Sequence, residues 1–177
     1  MGTRTFHRSR GTRRGNGRIR HVQQAGVAKS RCYGGEYGPD LDYVAEQTRL
    51  DPEEVIRIHS EKSYFIYMLG VIASFPYCGD VNSRLALKRR PSPRIRVEKG
   101  SIAIANRQTI IIPLASPSGW HMIGRTPMDT FNPSLDPPSP FLAGDYLKFE
   151  PISPQEAESW NDSKQSEWNE KRNSLRS

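Results

Sequence analysis

The stretch Gly-Ser-Ile-Ala-Ile-Ala-Asn-Arg-Gln-Thr-Ile-Ile-Ile-Pro-Leu, residues 100–114, decides the fold class of this chain. Residues 101–105 alternate loosely in polarity, and residues 109–114 form a continuous apolar run, as in buried strands. Asn106 and Arg107 stand between them and predict a turn. The segment therefore predicts a pair of strands joined by a short connection.

Further strands are predicted on both sides of this pair. Residues 63–72 are aromatic and β-branched, residues 120–124 resume an apolar pattern, and residues 146–152 alternate strictly, which indicates a half-buried final strand. Residues 84–99 are basic and punctuated by proline, which favours an extended segment. The predicted loops and turns are rich in Pro, Gly and Asp: 75–80, 116–119 and 131–140.

Two short helices are predicted ahead of these strands. Asp40 stands before apolar residues at helical spacing, and Asp51 is followed by Pro52 at the favoured first helical position. Both aspartates are expected to cap their helices. His59 closes the second helix and is expected to be a satisfied structural histidine. Two helices followed by about six closely spaced strands predict a mainly β, α+β fold, a small barrel or sandwich.

The positive charge of the chain is confined to its N-terminal segment. Of the 26 Lys and Arg residues, nine lie in residues 1–31, which contain no Asp or Glu, and the other 17 are set against 19 acidic residues. A solvated, disordered basic leader over 1–31 is therefore predicted. An arm that binds nucleic-acid phosphates and a mis-assigned gene start are the alternatives. Residues 154–177 are predicted to be a polar, weakly helical, frayed tail.

The rest of the composition excludes several classes of protein. The chain has no run of about 18 apolar residues, which a membrane-spanning helix needs. Its basic N-terminus lacks the apolar region of a secretory signal. Cys32 and Cys78 are its two cysteines and do not form a CxxC pair. We therefore expect a cytoplasmic protein without a metal site.

Several blocks of sequence, in a fixed order, resemble one known family. They are Cys-Tyr-Gly-Gly-Glu-Tyr-Gly-Pro-Asp-Leu (32–41), Tyr-Met-Leu-Gly (67–70), Phe-Pro-Tyr (75–77), Ser-Pro-Arg-Ile-Arg-Val (92–97), Gly-Ser-Ile-Ala-Ile-Ala (100–105), Ser-Pro-Ser-Gly-Trp (116–120) and Ile-Gly-Arg-Thr-Pro (123–127). On these blocks the chain resembles the allophanate hydrolase subunit 1 family, also called the carboxyltransferase C/D subdomain family. The resemblance implies a cyclophilin-like β-barrel over residues 32–153. In the family an α/β domain precedes the barrel, and here the basic leader stands in that place.

The resemblance also implies a function. The family includes the B subunit of an ATP-dependent 5-oxoprolinase, which acts with a C-subunit homologue of the carboxyltransferase A/B type and with a third subunit. Together they hydrolyse 5-oxoproline to L-glutamate, with ATP as co-substrate. The family also includes an inhibitor of a sporulation histidine kinase. Two alternatives therefore stay open, a binding module for a histidine kinase and a truncated, inactive pseudo-subunit.

Three arginines in the matched motifs are the implied anion-binding residues. Arg94, Arg96 and Arg125 carry guanidinium groups, whose geometry matches phosphate and carboxylate. Arg94 and Arg96 are two residues apart and therefore share one side of an extended segment. The alternative is a solvated, charged strand face.

Gln108 and Thr109 are implied to orient a substrate amide or carboxylate, with Gln108 in a catalytic role. The family pattern at this place is Gly-Asn-Gln-Thr-Gly, and this chain has Asn106 and Ile110 where the family has glycine. If those glycines allow a positive φ or a close backbone approach, Ile110 is expected to be strained or re-routed.

The remaining candidates each have two interpretations. Glu36 is an implied acid/base residue, or it holds the end of a helix. Phe75 and Tyr77 are implied to form the wall of a substrate or ATP pocket, or they belong to the core.

Overall fold

The structure, a computed structural model, describes residues 24–31 and 33–174. Within these residues nine strands and four α-helices form. The strands are β1 Gln24–Arg31, β2 Ser63–Leu69, β3 Pro76–Gly79, β4 Arg94–Val97, β5 Ser101–Ala105, β6 Gln108–Ile111, β7 Ser116–Ser118, β8 His121–Arg125 and β9 Tyr146–Ile152. The helices are α1 Leu41–Thr48, α2 Pro52–Ser60, α3 Pro154–Glu158 and α4 Asp162–Ser174.

Seven of the described strands close a barrel in the order β1-β8-β5-β6-β3-β2-β9. The predicted strand pair is present as β5 and β6, which are antiparallel and bring Ala105 opposite Gln108. Strand β1 runs parallel to β9. Strands β4 and β7 form a separate two-stranded sheet. The prediction of a mainly β, α+β barrel with two short N-terminal helices is confirmed, although one barrel strand, β1, comes before the helices.

The alternation of side chains along β5 and β6 divides the apolar residues between two clusters. Ile102 and Ile104 belong to the larger cluster, which also includes buried residues of α1 and α2. Ala103, between them, belongs to the smaller cluster, together with Ile110 of β6 and Trp120. Because neighbouring residues of a strand point to opposite faces, these strands are buried on both sides. This explains why their sequence is a nearly continuous apolar run.

The two predicted helices and the N-cap positions predicted for them are confirmed. Asp40 and Asp51 stand at the N-cap positions of α1 and α2, and neither side chain makes a capping hydrogen bond. The carboxylate of Asp40 has other partners, which are described below. Pro52 opens α2 as expected. Helix α1 ends at Thr48, and its C-cap residue Arg49 adopts a left-handed conformation with φ 57°.

Three segments that the sequence analysis placed outside strands are strands in the structure. They are β1, assigned to the leader, β3, assigned to a loop, and β7, assigned to a turn. Each is short or polar, and each is held by backbone pairing with a segment distant in sequence, which local pattern does not reveal. The leader prediction is therefore wrong for residues 24–31. The other residues of the predicted leader, 1–23, and Cys32 lie outside the described residues.

The turn between β5 and β6 corrects the expectation of strain at Ile110. Asn106 adopts φ 52°, a left-handed conformation that Asn tolerates better than most residues. Ile110 lies in regular β6, where it is buried and faces both Ala103 and Tyr77. Asn106 therefore replaces one family glycine without loss of the turn, and Ile110 is neither strained nor re-routed.

The C-terminal segment is more ordered than the predicted frayed tail. Trp160 and Trp168 pack against the larger apolar cluster. The side chain of Gln165 in α4 accepts a hydrogen bond from the amide of Asp129 at 2.9 Å and donates one to the carbonyl of the same residue at 3.3 Å. These contacts attach α4 to the loop that follows β8. Every helix in the described part of the chain is too short or too polar to pass through a bilayer.

Candidate functional site

Arg94 is bound to a buried carboxylate inside the protein. Its two terminal nitrogens donate to the two oxygens of Asp40, each at 2.7 Å. Arg90 donates to the same carboxylate at 2.8 Å, and so does the amide of Met122 at 2.7 Å. The side chain of Asp40 is only 3% exposed. Because both terminal nitrogens are engaged, the fork of Arg94 that matches a carboxylate or phosphate is already occupied by Asp40.

Arg96 points to a different partner from Arg94. Its Nε donates to Glu98 at 2.8 Å, and both side chains are largely exposed. This ion pair raises the pKa of Arg96 and lowers the pKa of Glu98. The two arginines of β4 therefore do not form a common anion site, and Arg96 fits the alternative of a solvated, charged strand.

Arg125 lies at the end of β8, beside a cavity of about 350 Å³. Its Nε donates to the carbonyl of Lys99 at 3.0 Å. The ammonium of Lys99 forms an ion pair with Asp129 at 2.8 Å. The cavity is lined by Lys99, Gly100, Arg125, Thr126, Pro127, Met128 and Asp129. Arg125 is thus a predicted arginine that lines a cavity.

Thr109 is buried and serves a structural hydrogen-bond chain. Its hydroxyl lies 2.9 Å from Nε2 of His59, whose Nδ1 lies 2.9 Å from the hydroxyl of Tyr33. Burial lowers the pKa of His59 to about 3, so the ring is neutral at physiological pH. One ring nitrogen donates and the other accepts, which satisfies both. The interpretation of His59 as a satisfied structural histidine is confirmed, and Thr109 faces the core. Gln108, next in the strand, is half-buried.

Glu36 is exposed in the turn that precedes α1. This turn is closed by backbone hydrogen bonds from Tyr37 and Gly38 to the carbonyl of Gly34. Helix α1 begins five residues after Glu36, at Leu41, and the residue at its N-cap is Asp40. Glu36 therefore does not hold the end of this helix.

Phe75 and Tyr77 pack together with the smaller apolar cluster. The rings of Tyr77 and Trp120 pack edge to face, with their centroids 6.2 Å apart. The guanidinium of Arg89 lies over the ring of Trp120, 5.4 Å from its centroid. Phe75 and Tyr77 are both half-buried. The packing favours the core interpretation for both.

The predicted site residues therefore do not converge on one catalytic centre within the residues described. Arg94, Arg96 and Arg125 have three different partners, and Thr109 faces the core. The same part of the chain contains no group of three or more His, Cys, Asp or Glu side chains arranged to hold a metal ion.

Comparison with known proteins gives the family. The model of the family described as carboxyltransferase domain, subdomain C and D, matches residues 20–141. The chain belongs to this family. It is 48% identical to the B subunit of 5-oxoprolinase from Bacillus subtilis (strain 168), over 69% of this chain and 51% of that protein. It is 40% identical to the B subunit of 5-oxoprolinase from Escherichia coli O157:H7, over 67% of this chain and 55% of that protein.

A solved structure supports the same assignment of fold. The crystal structure of a conserved uncharacterized protein from Pyrococcus horikoshii superposes with a TM-score of 0.71 and 44% identity, covering 74% of this chain and 60% of that chain. The expected family and the cyclophilin-like barrel are thereby confirmed. This member of the carboxyltransferase C/D family spans about half the length of the curated relatives it matches.

A second cavity, of about 410 Å³, lies where the family match ends. One side is the loop after β8 and the other is α4, which follows residue 141, the last residue matched to the family. Its polar lining consists of carboxylates, amides and one hydroxyl: Asp129, Asn132, Asp136, Asp162, Gln165, Ser166 and Asn169. Local sequence pattern does not reveal this cavity, because its two sides come together only through the docking of α4.

Lys99 and Asp129 are the residues at the Arg125 cavity that sequence reasoning missed. Lys99 is the last residue of the basic segment 84–99, before β5. Nothing in the sequence of that segment distinguishes it from the other Lys and Arg residues there. The one local signal is Gly100, which follows it with φ 83° and marks a sharp change of chain direction.

Proposed function

We propose that this chain is the B-type component of an ATP-dependent 5-oxoprolinase, which opens 5-oxoproline to L-glutamate in the cytoplasm. It acts with a C-subunit homologue of the carboxyltransferase A/B type and with a third subunit. The observation that carries the proposal is the identity with the two bacterial proteins named as B subunits of 5-oxoprolinase.

The chemistry of the reaction explains why several subunits and ATP are needed. The amide of an unstrained ring is a poor electrophile. Transfer of a phosphoryl group from ATP to its carbonyl oxygen releases ADP and activates the carbon. Water then attacks this carbon, and the ring C–N bond breaks as the nitrogen takes up a proton, which leaves an acyl phosphate. A second water releases phosphate from it and gives L-glutamate. The protein has to hold the ring in place and to neutralise the phosphate charge. The sequence has no P-loop, so we place the nucleotide at an unconventional site or one shared with a partner.

The arrangement of the candidate residues supports a component that is not active alone. Glu36 is exposed on a turn, and Arg94 is occupied by Asp40. Within the described residues no hydrogen bond or ion pair joins Glu36 to Gln108. An acid/base pair has to lie within hydrogen-bond reach of a common substrate. A partner protein would complete such a site.

The β2–β3 hairpin offers a surface for a partner. Its exposed apolar side chains include Met68, Val71 and Ile72, the last two 103% and 72% exposed at the tip. Exposed apolar groups that lie together are typical of protein interaction sites. A partner that binds at the tip of the hairpin would shield these apolar side chains from water.

Reconstitution tests the proposal. The chain is co-expressed with a C-subunit homologue and the third subunit, and ATP hydrolysis is measured with and without 5-oxoproline. We expect ATP turnover that depends on 5-oxoproline and forms L-glutamate. The Bacillus subtilis B subunit in the same complex is the positive control. If that control turns over and this chain does not, the proposal is wrong.

The same exposed hairpin favours a second candidate, a binding module for a histidine kinase. In that case the chain inhibits autophosphorylation of the kinase when it is titrated into the assay, without turnover of 5-oxoproline. A V71D/I72D variant should lose the inhibition, because it places two charges at the apolar tip. A chain that shows neither turnover nor inhibition fits the remaining alternative, an inactive pseudo-subunit.

A further inference from the structure

Arg125 differs from most described arginines in having no carboxylate partner. Arg57, Arg84, Arg90, Arg94 and Arg96 each have a carboxylate oxygen within 3.0 Å. In the described part of the chain, no carboxylate lies within the 4.0 Å ion-pair distance of the guanidinium of Arg125. The nearby Glu98 is bonded to Arg96, and its attraction to Arg125 is the last of the causes that lower its pKa. A cation at a cavity with no carboxylate in direct contact is suited to an anionic ligand.

The backbone around Arg125 holds its guanidinium in a defined direction. Arg125 faces Ser101 across the β5–β8 pair, and the amide of Thr126 donates to the carbonyl of Gly100 at 2.9 Å. The Nε of Arg125 donates to the carbonyl of Lys99 at 3.0 Å. This bond uses one edge of the guanidinium and leaves the two terminal nitrogens as a fork, the arrangement that binds both oxygens of a carboxylate.

Lys99 adds a second positive charge to the same cavity. Its ammonium is 2.8 Å from Asp129, which uses one of its three donors. With Asp129 included, the three charged side chains that line the cavity leave an excess of one positive charge. The cavity therefore suits a ligand with a single negative charge.

The remaining walls suit the hydrocarbon part of a small molecule. Pro127 supplies apolar surface, whereas the neighbouring Met128 is almost fully buried and belongs to the larger apolar cluster. Gly100 has φ 83°, and a Cβ added to it would overlap the carbonyl of Thr126, so this wall has no room for a side chain. The volume of about 350 Å³ is at the small end of ligand pockets, which span roughly 300 to 1,000 Å³.

We propose that Arg125 and Lys99 bind the carboxylate of a small organic acid in this cavity. The guanidinium fork holds both oxygens, Lys99 supplies a further hydrogen bond, and the carbon skeleton lies against Pro127. The identification of this acid as 5-oxoproline, whose ring carries one carboxylate, rests on the proposed function.

Calorimetric titration of the full chain tests the binding site. The ligands are 5-oxoproline, L-glutamate and acetate, with inorganic phosphate as the competing anion. We expect 5-oxoproline to bind, R125Q and K99Q each to weaken it at least tenfold, and R125K to weaken it less than R125Q, because it keeps the charge but loses the fork. R84Q is the matched control, since Arg84 is half-exposed, bonded to Glu54 and outside the cavity, and it should bind within twofold of wild type.

Three results would overturn the inference. They are the absence of carboxylate binding in the wild-type chain, equal binding by R125Q and R84Q, and binding of phosphate in preference to all three carboxylates. Thermal unfolding of each variant checks folding. If R125Q unfolds below the assay temperature, K99Q decides, because Lys99 is nearly half-exposed and its loss leaves the β5–β8 pairing in place.

The reconstituted complex separates this inference from the proposed function. If carboxylates bind at Arg125 but the wild-type complex does not turn over 5-oxoproline, the proposed function fails and the binding site stands. If the complex is active and R125Q leaves the KM for 5-oxoproline unchanged, the site fails as the substrate site and the proposed function stands.

Discussion

Arg94 and Asp40, 54 residues apart in the chain, are joined by two hydrogen bonds of 2.7 Å. The contact connects the start of α1 to β4, and the bond from the amide of Met122 connects the same carboxylate to β8. An arginine in a motif that implied ligand binding is thus part of the internal structure. Two arginines and one backbone amide compensate the charge of Asp40. Substitutions in this cluster should therefore change the free energy of unfolding.

Replacement of Arg94 by alanine should destabilise the fold. It leaves the buried carboxylate of Asp40 with one cation in place of two, and the free energy of unfolding should fall by about 2 kcal/mol, less than for a fully buried pair because Arg94 is 29% exposed. Urea unfolding measures the change. R96A is the matched control, because Arg96 is 70% exposed and its ion pair contributes little. Equal free energies of unfolding for R94A and R96A would contradict a stabilising role of the contact between Arg94 and Asp40.

Replacement of Gly38 by alanine should be much more damaging than the same change at Gly35. A Cβ on Gly38 would overlap the carbonyl of Ile123, which accepts the amide of Gly34, so the turn before α1 has to move away from β8. We expect a loss of about 3 kcal/mol. Gly35 has φ 54° and open space around it, so G35A should cost about 1 kcal/mol from backbone conformation alone. Thermal unfolding of both variants checks the order, and a smaller loss for G38A would refute it.

Protonation of His59 should make stability depend on pH in the acid range. Its pKa is about 3 in the folded protein and near 6.5 in the unfolded chain, so the unfolded chain binds the proton more tightly. The contribution of His59 is therefore full above pH 6.5 and is lost as the pH falls towards 3, by about 1.4 kcal/mol per pH unit within that window.

Comparison with H59Q isolates this dependence from that of the carboxylates. The free energy of unfolding is measured from pH 4.5 to pH 7.5 for both proteins. At pH 5 the unfolding of wild type should take up about one proton more than the unfolding of H59Q. Parallel pH profiles for the two proteins would show that His59 is not buried in its neutral form.

Cys78 should resist thiol reagents while the protein is folded. Its side chain is fully buried, so a reagent cannot reach the sulfur. Burial also raises the pKa of the thiol, so the reactive thiolate does not form. Alkylation by iodoacetamide at pH 8 is measured in a C32S background, which leaves Cys78 as the sole cysteine of the sequence. We expect the native rate to be at least about 100-fold below the rate in denaturing urea. Similar rates in the two conditions would place Cys78 at an accessible surface.

Local sequence pattern predicted the strands and helices that have a clear periodicity of apolar side chains or a characteristic first residue. The apolar run of residues 109–114 led to β6, the strict alternation of 146–152 led to β9, and Pro52 marked the start of α2. The pattern failed for β1 and β7, whose composition is polar or punctuated by proline. These two strands exist because distant segments pair with their backbone, β9 with β1 and β4 with β7.

The sequence by itself determined the family, the mainly β fold class and the order of most elements, because these depend on side-chain periodicity and on motifs that are local in the chain. The tertiary structure alone decided which of the candidate arginines is held by an internal carboxylate. Arg94 and Arg125 look alike in sequence, but folding brings Asp40 to one and a cavity with Lys99 to the other. The electrostatic role of a charge depends on the groups within a few ångströms of it, and those groups come from segments far apart in the chain.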